Sequence, residues 1–142
     1  MVALDGNARV SGEPVVLATG PDEAITHPRI LWTSTHHSVA WMDALRRIHL
    51  ARLDRELGAI GAPLIVATTA ASESDLAIAG DAASGWIANR SEAGQLRVEH
   101  LGESEPTATI DVASIGEATD ISLAVLGGRP VAAWLDPDDP VV

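Results

Sequence analysis

The sequence predicts an all-β fold built from repeated four-stranded antiparallel meanders, and three observations predict it. Short apolar runs rich in Val, Ile and Leu are set apart by Gly, Pro, Ser and Asp, as in strands joined by tight turns. The runs recur in a fixed order of four. The spacings between recurrences also add up to whole repeats.

The first run, Arg29-Ile30-Leu31-Trp32, is answered by Asp75-Leu76-Ala77-Ile78 and Ser122-Leu123-Ala124-Val125. The second ends in Trp41-Met42-Asp43 and returns as Trp86-Ile87-Ala88-Asn89 and Trp134-Leu135-Asp136. In this alignment Trp41, Trp86 and Trp134 recur at one position beside a small residue, as indoles wedged between sheets do. The third run, Ile48 to Asp54, returns as Leu96 to Gly102, and its tail opens the chain as Val2-Ala3-Leu4-Asp5. The fourth, Pro63 to Thr68, matches Pro14 to Thr19 and, less closely, Ile110 to Ala113.

Trp41 and Trp134 are 93 residues apart, as are Ile30 and Leu123; Leu4 and Leu53 are 49 apart, and the two spacings together equal the 142 residues of the chain. If Val142 were joined to Met1, the seam would read onto the third run. The chain therefore reads as three repeats cut within one of them: 1–19 plus 121–142, 29–69 and 75–113. In order, Met1 to Asp5 is the end of a third strand, Gly6 to Gly12 a turn and Pro14 to Thr19 a fourth strand. Two complete units follow, and then Ile121 to Asp136 as a first and second strand.

One stretch pulls the other way. Met42 to Ile60 is full of good helix formers and would be read as a helix on propensity alone. Its counterpart Ser91 to Val98 carries Gly94, and a position repeated three times should hold one structure, so a strand is expected here as well.

Units of roughly 40 to 50 residues with four strands each are blade-sized. Across its whole length the chain resembles a β-propeller, in architecture only: it lacks the Gly-His and Trp-Asp pairing of WD repeats, the kelch double glycine and the sialidase Asp-box. The resemblance implies three blades per chain, whereas propeller rings have roughly four to eight. Blades in a ring of three would splay by about 120 degrees, far from sheets stacked about 10 Å apart. A homodimer, the last two strands of each chain pairing with the first two of the other, would close a six-bladed ring. The rival expectation is a piece of a longer propeller.

Composition narrows the function classes. A net charge of −11, from nine arginines and twenty carboxylates with no lysine, repels phosphate backbones and anionic lipid, so nucleic acid and membrane partners are not expected. There is no cysteine for disulfides or thiolate metal sites. No run reaches transmembrane length and no signal peptide is evident, which makes a cytoplasmic location the default expectation.

In a propeller the first strand of each blade is innermost, so residues just before it would line the mouth of a central channel. His27, Glu73 and Asp120 fall there, all cation ligands by type, and a divalent cation or cationic ligand is the sharpest site hypothesis; no other cofactor is expected. His36-His37 falls in the first turn of a blade, at the opposite end, and reads as a solvated loop. No nucleophile elbow, phosphate-binding Gly-Lys loop or paired-histidine zinc helix occurs. The expected function is a non-enzymatic scaffold or binding module that presents loops and a channel mouth to a protein or small ligand. The alternative is a carbohydrate-active enzyme or lectin with its site at that mouth.

Overall fold

The computed structural model describes residues 3–4, 10–11, 13–17, 26–67, 76–82, 84–101 and 106–136. Among them the fold is all-β, with no helix. Two strands, β1 (Ala3–Leu4) and β2 (Val10–Ser11), form a short antiparallel ladder. A four-stranded meander follows: β3 (Thr26–Trp32), β4 (His37–Met42), β5 (Ile48–Leu53) and β6 (Leu64–Ala67). The second meander comprises β7 (Leu76–Gly80), β8 (Gly85–Arg90), β9 (Gln95–Leu101) and β10 (Pro106–Ser114). The hairpin β11 (Thr119–Leu126) and β12 (Arg129–Leu135) completes the described chain, turning on Gly127 and Gly128, both at positive φ. Two successive left-handed residues are what a two-residue hairpin loop requires, and glycine adopts them without a steric cost.

The stretch of helix formers, Met42 to Ile60, holds no helix but the strand β5 between two turns. β5 buries Ile48 and Leu50 on one face and Ala51 and Leu53 on the other. A strand buried on both faces accommodates that pattern, whereas a helix would present one apolar stripe. Tertiary burial overrides propensity here.

The sheets stack face to face. Ala40, Met42, Ile48 and Leu50 of the first meander pack on Leu76, Ile87 and Leu101 of the second. The far face of the second meander, through Ala88, Leu96 and Val98, meets Ile115, Ala118 and Ile121 of the chain leading into and along β11. The far face of the first meander, Val39, Trp41, Ala51 and Leu53, is covered by Val15 and Leu17. First strands lie against first strands, β3 on β7 and β7 on β11. Each pair of neighbouring layers thus buries an aliphatic seam, the driving force for stacking.

Strand registers fix the repeat. Ile30 pairs with Val39 and Leu123 with Ala132, and Thr26 pairs with Met42 as Thr119 does with Leu135, so the spacing of 93 holds residue for residue. Leu4 pairs with Val10 as Leu53 does with Ala59, which confirms the spacing of 49. Between the two meanders, however, Met42 faces Ile48 as Arg90 faces Leu96, and Trp32 faces His37 as Gly80 faces Gly85, a uniform spacing of 48.

That spacing corrects the alignment of the first two runs. Ile30 corresponds to Ile78, not Leu76, and Trp41 to Asn89, not Trp86. Because side chains alternate along a strand, the odd slip matters: Trp41 faces away from the second meander, and Trp86 faces away from the first. Trp134 does occupy the Trp41 position. The expected strand at Pro14 to Thr19 is also corrected: its described part, 14–17, belongs to no strand, and Val15 and Leu17 pack over the far face of the first meander.

Candidate functional sites

His27 and Asp120 are true counterparts. Each follows a threonine at the start of a first strand, each sits at a β-bulge, and each holds a left-handed backbone, with φ of 45° and 53°. Such bulges re-aim the chain, and a non-glycine residue in this region of φ is uncommon. Both side chains are exposed. Glu73, the third expected ligand, lies outside the described residues; the 48-residue spacing aligns Asp75, also outside them, with His27 instead. Among the described residues, no group of three or more His, Asp or Glu could hold a metal ion.

Among the described residues, Asp43 is a heavily engaged charge. Asp43 opens the turn between β4 and β5, and its side chain is fully buried. Oδ1 accepts from the backbone N–H of Leu45 and of Arg47, each at 2.9 Å. Oδ2 accepts from Arg47 Nε at 2.6 Å and from His49 Nε2 at 2.8 Å. The His49 ring stacks on Trp41, 5.3 Å between centroids and nearly parallel. Burial alone would raise the Asp43 pKa; the hydrogen bonds from His49, Arg47 and Leu45 outweigh it and lower the pKa to about 2. With every oxygen doubly bonded, this carboxylate locks a turn and has no lone pair directed at a substrate.

At the opposite end of the stack the loop 33–36 meets residues 81, 82 and 84. The loop is internally bonded: Thr33 Oγ1 donates to the His36 carbonyl at 3.0 Å, and Thr35 Oγ1 lies 2.9 Å from His36 Nδ1. Ser34 Oγ then donates across to the Ala82 carbonyl at 2.6 Å. Opposite it Asp81 Oδ1 accepts from both the N–H and the O–H of Ser84, at 2.9 and 3.2 Å. The His36-His37 segment is therefore half-buried and structured rather than a solvated loop. A run of hydroxyls, Thr33-Ser34-Thr35, was the available signal, but its partner loop lies 48 residues away.

Compared with protein-family models, curated proteins and solved structures, the chain matches none. The functional reading therefore rests on the molecule's own geometry.

Proposed function

We propose that the chain is half of a β-propeller and serves as a non-enzymatic binding module, with a second copy closing a six-bladed ring. The observation that carries this reading is the complementarity of the two end ladders. β1 and β2 repeat the end of a third strand and the Leu53–Ala59 bridge that follows it, and β11 and β12 repeat a first and second strand. The two ladders are separate two-stranded sheets. β12 of one copy beside β1 of the other would set a third strand next to a second, as in the two meanders.

The apolar surface of the terminal hairpin supports the same reading. Trp41 is 2 % exposed where β5 runs beside it, whereas Trp134, its counterpart on β12, is 37 % exposed, and Leu135 and Val131 are more so. An added strand would cover them, and an unpaired apolar edge is otherwise an invitation to indiscriminate pairing. The proposed role follows from the architecture: stacked sheets hold loops at two ends, which suits recognition of a protein or small ligand.

Light scattering across a concentration series tests the closure. A particle of twice the 14.8 kDa chain mass is the expected result. A well-folded monomer, or a heterogeneous ladder of larger species, would overturn closure by a second copy.

A further inference from the structure

A cavity of about 240 Å³ opens between the 33–36 loop and residues 82 and 84, walled below by Gly85, Ser38, His100 and Leu101. We propose that it is a binding site for a small neutral polyhydroxyl ligand, such as a monosaccharide. The site lies within one chain, between the two complete meanders, so it stands whether or not the ring closes.

The size sets the first limit. The volume falls below the roughly 300 Å³ at which sites for drug-sized ligands begin, and it suits a single sugar ring. Space at the base depends on Gly85, where a Cβ would meet the Leu31 and Leu101 side chains at 3.3 and 3.4 Å.

Hydrogen-bonding capacity sets the second. The hydroxyls of Ser34 and Ser84 already donate, to the carbonyl of Ala82 and to Asp81, which leaves each with acceptor capacity at the cavity wall, whereas Thr33 Oγ1 both donates to the His36 carbonyl and accepts from the His36 N–H. Ser38 is the converse. It is 1 % exposed, it lines the cavity, and its Oγ has no hydrogen-bond partner among the described residues. A buried hydroxyl in that state is unfavourable, and a ligand oxygen would relieve it.

A lumen that offers acceptors together with an unsatisfied hydroxyl discriminates among ligand classes. An anion without an O–H can accept but cannot donate to Ser34 and Ser84, and the described lining contains no arginine or lysine to hold a negative charge. The net charge of −11 also repels it. A metal cation cannot accept from Ser38, and no carboxylate is among the described lining residues. A sugar hydroxyl donates and accepts at once, which meets both requirements.

Amide NMR titrations with D-glucose, D-galactose and D-mannose, with inorganic phosphate as the contrasting probe, would test this. The expected result is millimolar binding of at least one sugar, with shifts confined to Thr33–Ser38 and Ser84–Leu101. Ala82→Trp, at the exposed rim, should abolish it, and Ser38→Ala should weaken it about tenfold without loss of fold. Because Ser38 Oγ forms no bond, its removal should not destabilise the protein, which separates a binding defect from a folding defect. No sugar-induced shifts up to about 50 mM, or shifts produced by phosphate instead, would overturn the proposal. So would sugar binding that Ala82→Trp leaves intact.

Discussion

The two meanders meet the same demand at the β-hairpin between their second and third strands with different chemistry. In the first, Asp43 opens the turn and Arg46 takes the left-handed position, at φ of 59°; in the second, Ser91 opens it and Gly94 takes that position, at φ of 73°. The backbone bonds coincide. The N–H of Asp43 reaches the Arg47 carbonyl and that of Arg46 the Asp43 carbonyl, just as Ser91 reaches Gln95 and Gly94 reaches Ser91. The difference lies in what surrounds each turn. A Cβ on Gly94 would sit 3.0 Å from the Gly116 carbonyl oxygen, because the chain leading into β11 docks there and Ile115 N–H bonds the Gly94 carbonyl. Arg46 has no such neighbour and tolerates a side chain, and the first turn relies instead on a buried carboxylate. One fold position thus admits either a small residue forced by packing or a strained one held by charge.

The largest effect is expected on the first turn. Asp43→Ala strips acceptors from Leu45, Arg47 and His49 and should cost about 3 kcal/mol in denaturant unfolding. A loss no greater than that of an average surface substitution would break the contrast between the turns. The pH dependence sharpens it. The Asp43 pKa falls from 3.8 to about 2 on folding, so its stabilisation is full above the unfolded value and lost as the pH drops toward the folded one. At about 1.4 kcal/mol per pKa unit, the native protein should lose roughly 2 kcal/mol between pH 4 and 2 that Asp43→Asn does not lose.

Gly94→Ala comes next. It pairs a left-handed backbone with a close carbonyl and should destabilise by about 1 to 2 kcal/mol, read as a lowered thermal midpoint. A neutral result would mean that the docked chain at Gly116 yields easily. The smallest effect belongs to the ion pair that joins the two turns, Arg46 Nη1 to Glu92 Oε1 at 3.2 Å. Both side chains are more than half exposed, so Glu92→Gln should shift stability by less than about 0.5 kcal/mol, and salt should erase the difference. A larger, salt-resistant change would make the turns one coupled unit.

Much of the candidate sites was not legible in advance. His27 and Asp120 were legible as equivalents because the spacing of 93 spans identical loop lengths, and their shared bulges followed from it. Glu73 is paired with His27 by the Ile30–Leu76 match, a spacing of 46, whereas the strand registers repeat at 48. The Asp43 network was hidden, since a turn aspartate is usually solvated. The cavity was hidden too: Ser38 and Ser84 are unremarkable serines until two sheets stack.

By itself the sequence determined the strand-forming runs, their order of four, and the spacings of 93 and 49. These follow from local chemistry, since alternation, turn residues and repetition are written along the chain. The tertiary structure alone decided the face on which each side chain falls. A strand repeats every two residues, so a slip between 45 and 48 leaves the composition of a run almost unchanged yet sends Trp41 and Trp86 to opposite sides of the stack. Only pairing across strands, set by loop length and by burial on both faces, distinguishes the two.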